Sequence, residues 1–131
     1  MDDMAVLRPR VFVVEDDPAY QRLLELALRR LGCECQCCTD GRTALDSIIS
    51  RSYDLVIIDI HIPELDGFMV ACQLREMGYT QPLVAISALN LEGIDGKARA
   101  VGFNDFLQKP LEDEHISQLL ERYVVNHEAK S

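Results

Sequence analysis

The chain has 131 residues, a length typical of one domain that buries a hydrophobic core without disulfide or metal staples. Hydrophobic residues make up 48% of the chain, and the formal net charge of −9 argues against nucleic-acid binding, because phosphate contacts need clusters of Lys and Arg. The sequence shows no secretory signal and no apolar run of membrane-spanning length, so we expect no contact with a membrane.

Domain organisation and location follow from the ends of the chain and from the cysteines. We expect one folded domain over residues 10–126, a flexible N-terminus at residues 1–9 and a C-terminal tail at residues 127–131. The five cysteines are an odd number, and four of them crowd into residues 33–38, which is unlike a secreted disulfide framework. A reducing cytoplasm is therefore the expected location.

The first half of the chain alternates short apolar runs with helical patterns. The run VFVV at residues 11–14 predicts a buried strand, and Asp17-Pro18 predicts a helix that the aspartate caps and the proline begins. Gly32 should end this helix. Its predicted apolar face consists of Leu23, Leu24, Ala27, Leu28 and Leu31. Residues 33–38 predict a second strand, Asp40-Gly41 opens a second helix, and LVII at residues 55–58, ending on Asp59, predicts a third strand buried on both faces.

The second half repeats this alternation. A third helix is expected between Gly67 and Gly78, and LVAI at residues 83–86 predicts a fourth strand that ends at Ser87. A weaker helix is marked by Leu91, Ile94, Ala98 and Val101. Residues 103–108 predict a fifth strand, and helical spacing from Ile116 predicts a last helix. The fivefold β-α alternation predicts an α/β fold with a doubly wound, open parallel sheet, since a closed barrel needs about eight repeats.

Polar residues follow four of the predicted strands. They are Glu15 and Asp16 after the first strand, Asp59 after the third, Ser87 after the fourth and Lys109 after the fifth. The carboxyl ends of parallel strands meet at one edge of the sheet, where ligands of open α/β sheets bind. Three neighbouring acids need a cation, and an all-oxygen ligand set favours a hard ion such as Mg²⁺.

The remaining groups at this edge favour phosphoryl chemistry. The ammonium of Lys109 and the hydroxyl of Ser87 suit an anion that carries several oxygens. The sequence has no GK[ST] element and no GxGxxG motif, which argues against a bound nucleotide. A carboxylate nucleophile that accepts a phosphoryl group directly, with Asp59 as the candidate, fits better.

From about residue 10 to residue 123, the chain resembles a response-regulator receiver domain of two-component signalling, similar to the chemotaxis regulators. The matching motifs are VVEDD, LVIIDIHIPELDG, AISA and DFLQKP, in this order and each at the end of a predicted strand. Any one of them is weak alone, whereas the ordered set is a specific signature. The resemblance implies a (βα)5 three-layer sandwich with a five-stranded parallel sheet in the order 2-1-3-4-5.

The resemblance also implies a metal-dependent phosphoacceptor. Asp59 would accept a phosphoryl group from a phosphohistidine on a sensor histidine kinase or a histidine phosphotransfer domain. Asp16, Asp59 and the backbone carbonyl of His61 would hold Mg²⁺, with Mn²⁺ as the alternative ion, and Glu15 would help through water or from outside the immediate ligands. Such a domain catalyses only its own phosphorylation and dephosphorylation, so we do not expect an enzyme with a separate substrate.

A conformational output is implied as well. Lys109 would pair with one phosphoryl oxygen and Ser87 would donate a hydrogen bond to another. Phe106, three residues before the lysine, matches an aromatic switch position, and its ring would turn inward when Ser87 moves. The change would reshape the surface of the fourth helix, fifth strand and fifth helix, where a downstream protein target binds.

Several alternatives stay open at this point. A haloacid-dehalogenase-like phosphatase also uses a strand-end aspartate, Mg²⁺, Ser or Thr and Lys, but it needs an acid where this chain has His61. A degenerate receiver that only binds proteins is a third reading, which the intact polar set disfavours. The His61 side chain either tunes hydrolysis or partner choice, or has no role. The clustered Cys33, Cys35, Cys37 and Cys38 serve either as small apolar packing or in metal or redox chemistry.

The wider context of the domain is also left open. Weak homodimerisation through the last helix is not demanded by any residue pattern. Few residues follow that helix, so we expect no effector domain within this sequence. A stand-alone regulator, a phosphorelay intermediate and the receiver of a hybrid kinase all remain candidates.

Overall fold

A computed structural model of the protein describes residues 8–89 and 91–125. Apart from residues 8 and 9, the expected flexible N-terminus and C-terminal tail lie outside these described residues. The strands are β1 (Arg10–Val14), β2 (Glu34–Cys38), β3 (Leu55–Asp59), β4 (Leu83–Ser87) and β5 (Asp105–Gln108). The helices are α1 (Pro18–Arg30), α2 (Gly41–Ser50), α3 (Gly67–Glu76), α4 (Ile94–Val101) and α5 (Asp113–Leu120), and a π-helical turn at Glu121–Val125 follows α5.

All five strands pair in parallel, in the order β2-β1-β3-β4-β5. This confirms the predicted α/β class, the doubly wound sheet and the strand order. The order reverses its direction between β1 and β3, and ligands of open parallel sheets bind at the carboxyl ends of the strands at such a point. Within the part of the chain that the structure describes, no helix combines the length and apolarity needed to cross a lipid bilayer.

The two faces of the sheet carry separate hydrophobic layers, because successive strand residues point to opposite sides. In β1, Val11 and Val13 join the layer beneath α1 and α5, whereas Phe12 and Val14 join the layer beneath α2, α3 and α4. Every residue of β3 is buried, as the continuous apolar run predicted. Because both faces of the sheet are covered, the packing of the strands fixes the positions of the residues at their carboxyl ends.

Aspartates cap the first three helices, α1, α2 and α3. Asp17 accepts a hydrogen bond from the amide of Ala19 (3.1 Å), Asp40 from that of Thr43 (2.8 Å), and Asp66 from the amide of Met69 (3.0 Å). The cap at Asp17 is confirmed at its predicted position, and the second helix opens at Asp40-Gly41 as predicted. The three caps satisfy amide groups that have no partner within the helix.

Some predicted boundaries and faces were wrong. Strand β5 begins at Asp105 rather than at residue 103, because the amide of Phe103 still closes α4 by donating to Ala98 O (3.0 Å). Leu91 lies outside α4 and is exposed, and α4 begins only after Gly93, whose φ is +81°. Strand β2 likewise starts one residue late, at Glu34.

Two leucines predicted for the buried face of α1, Leu23 and Leu31, are exposed. The buried stripe of this helix consists of Leu24, Ala27 and Leu28. The stripe is narrow because α1 lies over the edge of the sheet, where fewer side chains are available to cover it.

Strand β5 contains a buried acid that no sequence pattern marked. Asp105 accepts hydrogen bonds from Arg122 (2.6 Å) and from the Tyr123 hydroxyl (3.1 Å), and it lies 3.5 Å from Arg99 of α4. A buried carboxylate needs such partners to offset the loss of hydration. Asp105 thereby links α4, β5 and the turn after α5.

Gly41 fits where any side chain would collide. Its amide donates to Pro63 O (3.1 Å), and a Cβ built on Gly41 would overlap the carbonyl group of Leu65 in the loop after β3. We expect Gly41→Ala to lower the free energy of unfolding by about 3 kcal/mol, because the backbone of this loop must move. Urea denaturation followed by circular dichroism measures the change.

Gly96→Ala is the matched control for Gly41→Ala. A Cβ on Gly96 would meet no atom within 4 Å, and the residue lies inside α4, so the alanine variant should be more stable by about 0.5–1 kcal/mol. Equal stability of Gly41→Ala and the unmodified protein would contradict the close approach of α2 to this loop.

Candidate functional site

Four charged side chains meet at the carboxyl edge of the sheet. Lys109, which directly follows β5, donates hydrogen bonds from Nζ to Glu15 Oε1 (2.8 Å) and to Asp59 Oδ2 (3.1 Å). The carboxylates of Glu15, Asp16 and Asp59 each place an oxygen within 4.8 Å of the others. The residues come from the ends of β1, β3 and β5, as the strand-end pattern predicted.

Three of the four charged side chains have little contact with water, and the fourth is exposed. The Glu15 side chain is 0% exposed, that of Asp59 6% and that of Lys109 15%, whereas Asp16 is exposed. Electrostatic interactions among the three buried groups are therefore weakly screened. Asp16 stands at the open side, where an ion or a small ligand can enter.

Glu15 is fully engaged within the protein. Its second carboxylate oxygen, Oε2, accepts the amide of Asp17 (3.1 Å), and its own amide donates to Cys38 O (3.1 Å). Gln21 of α1 adds hydrogen bonds from Nε2 to Glu15 O (3.0 Å) and to Cys38 O (3.1 Å). These contacts lock the end of β1 against the end of β2 and leave Glu15 little freedom to turn outward.

Burial and ion pairing shift the pKa values of two site residues. Burial raises the pKa of Glu15, and the hydrogen bond from Lys109 only partly opposes this effect. For Lys109, burial acts to lower the pKa of the ammonium, but the hydrogen bonds to Glu15 and Asp59 outweigh it and the pKa is raised. Lys109 therefore carries its positive charge at neutral pH.

The loop after β3 approaches Asp59 closely. The amide of His61 donates to Asp59 Oδ1 (3.1 Å), and the amide of Gly67 donates to Ile60 O (2.9 Å). A Cβ on Gly67 would lie 2.7 Å from Asp59 O, so only glycine fits at the start of α3. Both oxygens of the Asp59 carboxylate are thus oriented, one by Lys109 and one by the His61 amide.

The donor set fits a hard divalent cation. Three carboxylates share the site with a single ammonium, which leaves an excess of negative charge among the described residues. Clustered carboxylates that include a buried pair repel one another unless a cation lies between them. Oxygen ligands of this kind, with an open side for water, suit Mg²⁺.

The other predicted site residues lie nearby without joining the charged cluster. Ser87 is buried, accepts the Lys109 amide at its carbonyl (2.8 Å) and accepts the Leu89 amide at Oγ (3.0 Å). Phe106 is half-buried and packs against the layer beneath α2, α3 and α4. The His61 side chain is exposed at the rim.

The cysteines of residues 33–38 are divided between the two faces of the sheet. Cys33 and Cys35 are buried in the layer beneath α1 and α5, Cys37 packs against the same layer, and Cys38 packs on the opposite one. The Sγ atoms of Cys35 and Cys37 are 3.9 Å apart. All five cysteines are free thiols.

Two residues next to the charged cluster were missed by the sequence reasoning. Gln21 bridges β1 and β2, and the Tyr20 ring lies 4.7 Å from Lys109 Nζ. Both belong to the first turns of α1, shortly after the acid pair. The sequence signal for these two residues was that they closely follow Asp16. No spacing rule connects a residue at that distance from Asp16 with a lysine that follows β5.

An open parallel sheet in the order 2-1-3-4-5 with clustered carboxylates and a lysine at its carboxyl edge defines a class of protein, the receiver-type signalling domain. Comparison with known proteins supports the same class. A family model described as "Response regulator receiver domain" matches residues 11–121. The chain therefore belongs to the response regulator receiver domain family, and it is a receiver domain of two-component signalling.

Relatives occur both in hybrid kinases and in response regulators. The chain is 32% identical over 122 residues to "Sensor histidine kinase RcsC" of Salmonella typhi, covering 93% of this chain and 12% of the kinase. The chain thus spans about an eighth of the length of this relative. Among solved structures, the response regulator 1452 receiver domain of Francisella has a TM-score of 0.83 and 26% identity, covering 95% of this chain and 100% of that one.

A third relative carries a metal. The receiver domain of sensor histidine kinase PA1611 from Pseudomonas aeruginosa has a TM-score of 0.81 and 31% identity, covering 88% of this chain and 97% of that one. That protein has a magnesium ion coordinated in its active site cleft.

Proposed function

We propose that this receiver domain is a phosphoacceptor switch in which Asp59 takes a phosphoryl group from a phosphohistidine. The observation that carries the proposal is the placement of Lys109 Nζ against both Glu15 and Asp59, with Asp16 at the open side. A buried carboxylate held at the edge of a crevice by a lysine is arranged to act as a nucleophile.

In the proposed reaction, a carboxylate oxygen of Asp59 attacks the phosphorus of the donor. The new bond joins this oxygen to phosphorus, while the phosphorus–nitrogen bond of the phosphohistidine breaks and its electron pair stays on the imidazole. Because charge spreads over the phosphoryl oxygens during transfer, positive groups fixed nearby stabilise the transition state. Lys109 is one such group, and the relatives suggest a sensor histidine kinase or a histidine phosphotransfer domain as the donor.

Mg²⁺ would supply further positive charge to the phosphoryl oxygens. We propose Asp16, Asp59 and the backbone carbonyl of His61 as its ligands, and the PA1611 receiver supports a metal at this kind of cleft. We propose that Glu15 contributes through water or from outside the immediate ligands. Mn²⁺ remains an alternative ion.

The output would begin at Ser87. Its Oγ holds the turn before α4 through the Leu89 amide, so donating the hydroxyl to a phosphoryl oxygen would pull on this turn. Phe106 pairs with Ala85 in the sheet register and is half-buried, and its ring would turn inward when this turn moves. A downstream protein would then recognise the changed surface of α4, β5 and α5. We place the receiver domain at residues 10–126 and its location in the cytoplasm.

The proposal is tested by incubating the protein with Mg²⁺ and a small phosphodonor such as acetyl phosphate. We expect an acid-stable, base-labile adduct of about 80 Da, one phosphoryl group, that does not form when a chelator is present from the start. Intact-mass spectrometry detects it. An unmodified protein under these conditions contradicts the switch and favours a domain that only binds proteins, whereas rapid release of phosphate from many donors indicates a phosphatase.

The metal ligands are tested separately by Asp16→Asn. We expect this change to weaken Mg²⁺ binding at least about tenfold, because a ligating carboxylate is lost, while the exposed position keeps the fold intact. Isothermal titration calorimetry measures the affinity. Asp46→Asn, which neutralises an exposed acid on α2, is the control, and equal weakening in both variants would assign the effect to general charge instead of ligation.

A further inference from the structure

Hydrogen bonds of backbone amides fix the chain at Lys109 and again two residues after it. Its amide donates to Ser87 O (2.8 Å), and two residues later the amide of Leu111 donates to the Tyr20 hydroxyl oxygen (2.8 Å). Pro110 between them has no amide proton to donate. The connection from β5 to α5 is therefore anchored on its far side by the Tyr20 side chain of α1.

The same side chain contacts the charged end of Lys109. Nζ lies 4.7 Å from the centre of the Tyr20 ring, within the range of a cation–π interaction, and donates hydrogen bonds to Glu15 and Asp59 on its other sides. The ring thus covers a side of the ammonium that the carboxylates leave open. Tyr20 is half-buried, and burial raises the pKa of its hydroxyl, so the side chain stays uncharged at neutral pH.

We propose that Tyr20 is a positioning residue for Lys109 in phosphoryl transfer. Its hydroxyl fixes the backbone after the lysine and its ring keeps Nζ over the carboxylates, so the charge is in place before the donor arrives. A preorganised charge stabilises the transition state without the cost of reorientation. This inference rests on the proposed function, but the placement of Lys109 is measurable without any phosphoryl transfer.

Two variants separate the two contacts of Tyr20. Tyr20→Phe keeps the ring and removes the hydroxyl that Leu111 uses, whereas Tyr20→Leu removes both. The phenylalanine variant is nearly isosteric, so it should fold even if the leucine variant is weakened. Both variants leave the residues at the carboxylate cluster unchanged.

The first measurement is the rate at which an acylating reagent modifies Lys109 in metal-free protein, read by peptide mass spectrometry. Lys97 of α4, whose Nζ lies 4.6 Å from the Phe68 ring, is the internal reference because it does not contact Tyr20. We expect Tyr20→Leu to raise the rate of Lys109 relative to Lys97 about fivefold, and Tyr20→Phe to leave the ratio nearly unchanged.

The second measurement is amide hydrogen exchange at Leu111, which should accelerate about tenfold in both variants because its acceptor is lost. The third is the rate of adduct formation at Asp59. At saturating phosphodonor and saturating Mg²⁺ it should fall about fivefold in Tyr20→Leu. A residue that only contributes to packing would lower the denaturation midpoint without these local effects.

Unchanged Lys109 reactivity in Tyr20→Leu, together with unchanged Leu111 exchange, overturns the inference. Absence of any adduct on the unmodified protein is a different result, since it contradicts the proposed function itself. In that case the reactivity of Lys109 and the exchange of Leu111 still decide whether Tyr20 places the lysine.

Discussion

Asp59→Asn should abolish the phosphoryl adduct completely. The amide removes the nucleophilic oxygen while keeping the size of the side chain, so the variant should fold and expose the same site. Incubation with Mg²⁺ and acetyl phosphate, followed by intact-mass spectrometry, measures the result. The loss should exceed that of any other single change, because no other residue supplies the attacking atom in the proposed reaction.

The neighbouring carboxylates make this experiment stringent. Glu15 and Asp16 lie in the same cluster, so a less specific chemistry would transfer the phosphoryl group to one of them. An adduct of equal yield in Asp59→Asn would therefore contradict the assignment of Asp59 as the phosphoacceptor. Asp46→Asn on α2 should be phosphorylated like the unmodified protein, which controls for the change in net charge.

Lys109→Met should have opposite effects on metal binding and on phosphorylation. Removing the ammonium leaves the buried Glu15 and Asp59 without their partner, so the free energy of unfolding should fall by about 3 kcal/mol in the absence of metal. Mg²⁺ should bind more tightly, because the competing positive charge is gone. Adduct formation should nevertheless slow about 100-fold, because a charge on the phosphoryl oxygens is missing.

Urea denaturation with and without Mg²⁺, calorimetry and adduct kinetics measure these three effects. Lys97→Met removes the exposed charge on α4 that lies over the Phe68 ring, and it should change none of them appreciably. If Lys109→Met is as stable as the unmodified protein without metal, the ion pairs at the site contribute nothing to folding. If its phosphorylation rate is also unchanged, Lys109 has no part in the transfer.

Residue patterns alone predicted the architecture well. Continuous apolar runs at β1, β3 and β4 indicate strands that are buried on both faces, and the structure confirms all three. Asp17 was recognisable as a cap, and Asp40-Gly41 as a helix start, because such signals depend on neighbours within a few residues. The strand order came from the resemblance to receiver domains, since no local pattern states which strands pair.

The pattern was less reliable where burial depends on distant elements. Leu23 and Leu31 fit the helical spacing of α1 but are exposed, and Leu91 fits that of α4 but lies before the helix. Periodicity reports which residues share a face of a helix. It does not report how much of that face the sheet and the other helices cover.

For the candidate site, the sequence by itself determined which groups stand at the ends of the strands. Parallel strands bring their carboxyl ends to one edge, so Glu15, Asp16, Asp59 and Lys109 were expected at the same edge once the sheet was predicted. The chemical types also follow from the sequence, because carboxylates with one ammonium suit a cation and a phosphoryl group.

Only the tertiary structure decided how these groups contact one another. Lys109 donates hydrogen bonds to Glu15, 94 residues away in the sequence, and to Asp59, 50 residues away. The ring of Tyr20 in α1 contacts its ammonium group. Asp105 is likewise buried among partners from other elements. Contacts of this kind depend on the twist of the sheet and on the packing of helices against it, which bring together side chains that have no local relation in the sequence.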